Sequence, residues 1–237
     1  MKILAVDTAT GSLSVAIMDA GFLCTEITRF TGETHARHLM RLVDTAVNLS
    51  GMSVADLDAF AVNIGPGTFT GLRIGLSSIQ GMAMATAKPV AGISSLDALA
   101  AQAAPATQEG VGSLVCAMLD ARRQEVYGGL FRADGQAVVP VSEPRVGPPE
   151  ALANEIEEPC LLVGSGALLY QEALREKLAD RFALAAPNAH TIRGETIARL
   201  ALAAFENNTV PVNRALQPLY LRKSDAEINI TKRETTG

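Results

Sequence analysis

The sequence predicts an α/β chain that uses one strand–helix plan twice. Three observations carry this. Short apolar runs joined by glycine and small residues open the chain, and a similar meander recurs after residue 112. Each meander is followed by segments with helical apolar spacing that alternate with further strands. A hydrophobic fraction of 48% over 237 residues supplies enough core for two packed subdomains.

The elements follow in order. Lys2–Asp7 is mostly apolar, the pattern of a strand buried on both faces. Leu13–Asp19 and Phe22–Arg29, separated by Ala20 and Gly21, complete the first meander. A helix over Ala36–Leu49 follows from apolar Leu39, Leu42, Val43, Ala46 and Leu49, with Gly51 as its stop. A strand over Asp58–Ile64 leads through a glycine-rich loop into a helix over Gly71–Ala87. Lys88–Ile93 is then a strand and Ser95–Ala104 a helix. This β-β-β-α-β-α-β-α order is the ribonuclease-H-like arrangement. Pro105–Gly112 reads as the boundary loop. Beyond it, Val111–Ala121, Gln124–Arg132 and Gln136–Ser142 form the second meander. A helix over Pro149–Glu157, a strand over Cys160–Gly166, a helix over Leu168–Ala179, a strand over Phe182–Ala186 and a helix over Thr191–Phe205 complete the repeat. Two such halves in tandem make the architecture of actin, Hsp70 and the sugar kinases (ASKHA), with a cleft between lobes. The expected division is 1–106, 107–220 and a flexible tail over 221–237, where apolar periodicity stops.

A net charge of −5 argues against a broad basic face that binds nucleic acid unaided. Cys24, Cys116 and Cys160 lack C-x-x-C spacing and lie in apolar runs, so buried free thiols in a reducing compartment are expected. The first residues turn polar too soon for a signal peptide, and no apolar run reaches the ~18 residues of a membrane span. A cytoplasmic protein without a membrane contact is the expectation.

Several residues can carry chemistry. Asp7 ends the first strand, followed by Thr8, Thr10 and Ser12. It can be a magnesium-side carboxylate beside phosphate-contacting amides, or simply the cap of a turn. In the stretch Gly65–Gly75 (GPGTFTGLRIG), Gly65 and Gly67 permit positive φ, Pro66 fixes the turn, and Thr68 or Thr70 can cap a helix aimed at the cleft. No Gly-Lys-Thr/Ser step follows, so the loop is not of the Walker type. Asp7, Thr8, Thr10, Gly65 and Gly67 are therefore the candidate nucleotide contacts. Along the next helix Gly71, Gly75, Ser78, Met82 and Ala85 fall in one stripe bordered by Leu72, Ile79 and Met84. That stripe serves either close packing on the chain's own sheet or the approach of a partner's helix. His35 and His38, near Glu33 and Asp44, lack the further ligands of a metal site and read as polar residues facing water or a partner. Arg122 and Arg123, between Asp120 and Glu125, read as a salt-bridged hairpin that can also meet a phosphate or an acidic partner. Neither a catalytic residue nor a metal ligand is assigned.

Taken together, ILAVDTAT, GPGTFTGLRIG, AKPVAGISSLDALA, MLDARRQEVY and PLYLRKS resemble the TsaB (YeaZ) family, over nearly the whole chain and in the family's order. This family is the bacterial accessory subunit in making N6-threonylcarbamoyladenosine in tRNA and a paralogue of TsaD, the catalytic transferase. TsaD-like proteins carry N-H-x-x-x-H after the strand matching Lys88–Ile93, and those histidines hold the metal. Here Ser95 and Leu99 occupy the two positions, and neither side chain replaces an imidazole on iron or zinc. The resemblance thus implies a non-catalytic scaffold that pairs with a TsaD-like subunit through its N-terminal lobe. A TsaE-like ATPase joins them, tRNA is met through the complex, and a homodimer forms when the chain is alone. Mapped on Ala36–Leu49 and Gly71–Ala87, the implied interface is His35, Arg37, His38, Arg41, Leu42, Gly71, Leu72, Gly75, Ser78, Met82 and Ala85. No cofactor is implied for the isolated chain; ATP or ADP with magnesium belongs to the assembled complex. The competing reading is a nucleotide-dependent, kinase-like enzyme of the ASKHA superfamily. A peptidase, an older label for such sequences, lacks a metal-ligand set or a nucleophile with its base.

Overall fold

The computed structural model describes residues 1–30, 33–104, 113–134, 137–210 and 216–222. The predicted boundary loop over Pro105–Gly112 and all of the tail beyond Arg222 lie outside them.

The described strands form two sheets with the same plan. In the first, β1 (Lys2–Asp7), β2 (Ser12–Asp19), β3 (Phe22–Phe30), β4 (Ala59–Gly65) and β5 (Val90–Ser94) lie in the order β3-β2-β1-β4-β5. The meander is antiparallel, whereas β4 and β5 add in parallel. In the second, β6 (Ser113–Asp120), β7 (Val126–Asp134), β8 (Ala137–Pro140), β10 (Cys160–Val163) and β11 (Phe182–Leu184) give β8-β7-β6-β10-β11. A short β9 (Arg145–Gly147) pairs separately with β7. The tandem repeat read from the sequence is therefore present strand for strand.

Alternation along the strands builds the layers. Leu4 and Val6 of β1, with Phe60 and Val62 of β4, pack under α1 (Leu39–Leu49) and α2 (Phe69–Thr86). Their neighbours Ile3, Ala5, Ala59 and Ala61 face the opposite way, into a core shared by both sheets. That central layer holds α3 (Ser95–Ala103) and α7 (Gly194–Glu206), and small Ala98, Ala198 and Ala201 let the helices lie close. On the far side of the second sheet, α4 (Pro149–Ala153), α5 (Ser165–Leu169) and α6 (Gln171–Leu178) cover Leu114, Cys116 and Met118.

The two halves are interleaved, not merely adjoining. α7, which the sequence groups with the second half, packs on β1 and β2. Gly194 opens it where a Cβ would press on the Ala16 nitrogen at 2.9 Å, and its amide donates to Ser14 Oγ at 2.9 Å. Just before it, Arg193 donates through Nε to Glu26 Oε2 at 2.9 Å, while Glu26 Oε1 accepts the Glu195 amide at 2.9 Å. Gln102 of α3 donates to the Ala189 and Thr191 carbonyls at 2.9 and 2.8 Å.

Several boundaries differ from expectation. α1 begins at Leu39, not Ala36, because a 3-10 turn over His35–Arg37 carries the His35 ring inward. The helix expected over Leu168–Ala179 breaks at Tyr170 into α5 and α6, without a Gly or Pro to mark the break. α2 starts at Phe69 and α7 at Gly194. Cys116 and Cys160 are buried, and burial pushes the Cys160 thiol up to about 12. Cys24 is exposed, contrary to expectation, because β3 is an edge strand with its outer side uncovered.

Candidate functional site

Two regions bear on function: the cleft where the sheets' turns meet, and the outer face of α1 and α2.

The cleft encloses about 530 Å³. Its walls are the β1–β2 turn (9–12), the β4–α2 loop (67–69), the β6–β7 turn (119–123), and parts of the second half including Ser165, His190 and Arg222. Of the candidate nucleotide contacts, Thr10 and Gly67 line it. Asp7, Thr8 and Gly65 do not; all three are buried beneath it.

Internal bonds engage most of their polar groups. Asp7 Oδ1 accepts from the Asn63 side-chain nitrogen at 2.6 Å and from the Ala9 amide at 3.1 Å. Asn63 Oδ1 in turn accepts from Ser95 Oγ and the Gly65 amide, each at 2.8 Å. Asp7 Oδ2 is buried without a protein partner. Loss of water around this carboxyl pushes its pKa up to about 7, against the opposing bonds from Ala9 and Asn63. Thr8 Oγ1 donates to the Gly71 carbonyl at 2.8 Å, and the Thr68 amide donates to the Ala9 carbonyl at 2.8 Å. The turn after β1 is thus fastened onto the first turn of α2, with Thr68 at its N-cap position making no side-chain cap bond.

This fastening decides which way the glycine stripe faces. A Cβ on Gly71 would collide with the Thr8 carbonyl oxygen, and one on Gly75 with Thr8 Oγ1 while resting in contact with Val62 Cγ2 at 3.4 Å. Leu72 is fully buried. Gly71, Leu72 and Gly75 therefore serve packing within the chain, correcting their assignment to a partner-facing stripe. Of the two uses the sequence offered for the stripe, packing within the chain is the one observed for Gly71 and Gly75.

Among the other interface candidates, His35 is also turned inward. Its Nε2 donates to the Thr10 carbonyl at 2.7 Å, leaving buried Nδ1 as an unpartnered acceptor. Its expected exposure to water or a partner is corrected accordingly. Arg37, Arg41 and Ala85 are exposed, while His38, Leu42, Ser78 and Met82 are half-buried. His38 pairs with Glu33, and Arg37 lies 3.4 Å from the same carboxylate.

The outward face also contains large apolar residues, Met84 from the border of the predicted stripe and Met40 and Leu49 from outside it. Met84 is 83% exposed, Leu49 69% and Met40 50%, although the helices carrying them bury their opposite faces in the sheet. Gly81 has open space where a side chain would be, so Ser78, Gly81 and Ala85 form the outward small-residue stripe of α2. Its spacing is as visible in the sequence as that of Gly71 and Gly75. Only the position of the β1–β2 turn tells the two stripes apart.

The positions that resemble TsaD metal ligands are occupied in other ways. Ser95 is fully buried and bonded to Asn63, and Leu99 lies in the shared core. Among the described residues no three His, Cys, Asp or Glu side chains are grouped to hold a metal ion. His190 accepts the Gly164 amide on Nδ1 at 3.0 Å and donates from Nε2 to the Ala185 carbonyl at 2.9 Å. Arg122, Arg123 and Gln124 take φ of 62°, 57° and 61°, a left-handed run unusual without glycine. Asp120 receives the Arg122 amide at 2.8 Å and its guanidinium at 3.3 Å, giving the salt-bridged hairpin expected from the sequence.

Comparison with known proteins gives matches along the whole chain. The family model described as TsaD, tRNA N6-adenosine threonylcarbamoyltransferase, matches residues 28–230. The Escherichia coli protein named tRNA threonylcarbamoyladenosine biosynthesis protein TsaB is 32% identical over 95% of this chain and 96% of its own. The chain belongs to the TsaB family. The Bacillus subtilis TsaB is 28% identical, with 96% of each chain covered. A crystal structure of YeaZ from Pseudomonas aeruginosa superposes with a TM-score of 0.78 at 31% identity, covering 93% of this chain and 99% of that one. The two-sheet architecture extends further: component A of the Acidaminococcus fermentans (R)-2-hydroxyglutaryl-CoA dehydratase shares the fold at a TM-score of 0.51 and 11% identity. Ser95 and Leu99 depart from the histidine pattern that the TsaD resemblance implies.

Proposed function

We propose that this chain is a non-catalytic scaffold subunit that docks a TsaD-like catalytic subunit through the outward face of α1 and α2. In that complex it is required for N6-threonylcarbamoylation of the tRNA adenosine beside the anticodon. A TsaE-like ATPase joins the pair, tRNA is met indirectly, and any ATP or ADP with magnesium belongs to the assembly. The cytoplasm is the compartment this reading requires; no helix among the described residues is long and apolar enough to cross a membrane.

The observation that carries the docking surface is exposed Met40, Leu49 and Met84 on the two helices that cover one face of the first sheet. Large apolar side chains left exposed on helices that cover the same sheet face favour a protein contact. Ser78, Gly81 and Ala85 allow a second helix to approach closely, and Arg37 and Arg41 supply a polar rim. The same face supports a homodimer when the partner is missing. The non-catalytic part rests on TsaB membership and on Ser95 and Leu99. A nucleotide-dependent enzyme would need Asp7 at the cleft, whereas Asp7 is buried beneath it with Oδ1 bonded to Asn63 and the Ala9 amide.

Mixing the chain with a TsaD-like subunit is expected to give a stoichiometric complex by light scattering. Met84→Arg should weaken that complex roughly tenfold or more, because a buried interface does not tolerate an unpaired charge. The melting temperature of the free chain should stay unchanged, since Met84 is exposed. An unchanged dissociation constant would place the docking face elsewhere.

A further inference from the structure

The segment over 216–222 lies across both halves of the molecule, and the scaffold reading makes no use of it. It starts on the first sheet's side. Gln80 of α2 donates to the Leu216 carbonyl at 2.9 Å, and the Leu219 amide donates to the Ile64 carbonyl at 2.7 Å. Tyr220 then stacks on Phe69, with ring centroids 4.5 Å apart, and its hydroxyl accepts from Arg73 Nε at 3.0 Å. The Arg73 guanidinium stands 5.9 Å from both rings, within cation–π range. Two residues later the contacts change sides. Arg222 donates to the Ala121 carbonyl at 2.6 Å, pairs with Glu125, and lies 5.8 Å from the Tyr127 ring centroid.

Arg222 therefore grips both ends of the β6–β7 turn, whose own closing bond runs from the Ala121 amide to the Glu125 carbonyl at 2.9 Å. Between those ends lies the left-handed run Arg122–Gln124. Non-glycine residues hold such backbone only when their surroundings over-determine it. Phe69, Tyr127, Arg222 and the turn itself all line the cleft.

We propose that residues 216–222 act as a clasp that fixes the β6–β7 turn against the N-terminal turns of α2 and so sets the opening of the cleft. Its two halves differ in kind. Aromatic stacking and backbone bonding anchor it on α2 and β4, whereas one arginine latches it to the turn. The latch is the part that releases. When Arg222 lets go, the left-handed turn loses its grip and the Tyr220–Phe69 contact loses its tether. The two walls of the cleft then loosen together. This inference concerns the chain by itself and does not depend on the partner.

Amide hydrogen exchange on the full chain tests it, comparing wild type with Arg222→Ala and Glu125→Gln. Arg222→Ala should speed exchange at least tenfold at the Ala121 and Glu125 amides and also at Leu219, whose amide anchors the segment to Ile64 on the α2 side of the cleft. Glu125→Gln, which removes the ion pair but leaves the bond to the Ala121 carbonyl, should do the same more weakly. The Gly194 amide, bonded to Ser14, serves as the control for intact packing and should not change. Acceleration confined to Ala121 and Glu125 would overturn the coupling, and no acceleration at either wall would overturn the clasp. Should Arg222→Ala also speed Gly194, the arginine supports the fold at large, and Glu125→Gln alone decides whether the walls move together.

Discussion

Gly71→Ala is expected to destabilise the free chain by about 2–4 kcal/mol, whether or not any partner is present. The added methyl would collide with the Thr8 carbonyl oxygen, which is backbone and cannot turn aside like a side-chain tip. Relief requires moving α2 away from the β1–β2 turn. That motion also stretches the bond from Thr8 Oγ1 to the Gly71 carbonyl and the bond from the Thr68 amide to the Ala9 carbonyl. Urea unfolding of the variant and wild type measures the loss. Gly75→Phe should be worse, since its ring must displace Thr8 Oγ1 and Val62. Loss of partner binding in that variant would report unfolding and not a blocked interface. A Gly71→Ala chain as stable as wild type would mean that the β1–β2 turn does not rest on α2.

The second large effect concerns Asp7 and pH. Its carboxyl is fully buried and its pKa is raised from 3.8 to about 7, chiefly because burial strips water from the charged form. The folded state therefore holds this proton more tightly than the unfolded chain. The stability it contributes is complete below about pH 4 and is lost as pH rises to about 7. The slope approaches about 1.4 kcal/mol per pH unit at most, and the profile is flat above that window. Asp7→Asn removes the titration while keeping an oxygen for the Ala9 and Asn63 donors. Between pH 4 and 8 the variant should gain on wild type by roughly 2–4 kcal/mol. Groups common to both proteins cancel in the difference. Parallel urea-midpoint profiles across this range would show that Asp7 ionises as an ordinary surface carboxylate.

The repeat was legible in the sequence because it depends on features local to each strand. Alternation of apolar residues, short meanders and glycine punctuation appear in both halves, and both sheets have the same strand order. Position in the sheet was not legible in this way. Phe22, Leu23 and Cys24 form an apolar run, yet their strand lies at an edge and leaves Cys24 exposed. β9 spans only Arg145–Gly147, too short to express a period. The break at Tyr170 has no helix-breaking residue to announce it.

The candidate site was legible to the level of the helix, not of its face. Small residues serve equally when a helix packs on its own sheet and when a partner approaches, so Gly71–Gly75 and Ser78–Gly81–Ala85 look alike. What separates them is the β1–β2 turn, folded over the first stripe by bonds between residues distant in sequence. His35 posed the same problem. A histidine before a helix reads as solvent-facing until its bond to the Thr10 carbonyl is known. The clasp at Tyr220 and Arg222 was present in the sequence only as part of a family motif. Its partners Phe69, Arg73, Ala121 and Glu125 come from two distant segments, and no periodicity connects them.

A scaffold of this kind supports a tRNA-modifying reaction without performing it. The most direct measurement is threonylcarbamoylation of tRNA in vitro by TsaD-like and TsaE-like subunits, with this chain present, omitted, or replaced by Met84→Arg. Product is expected with wild type, little or none when the chain is omitted, and a marked reduction with Met84→Arg at concentrations where wild type saturates. Undiminished product without the chain would contradict the scaffold role.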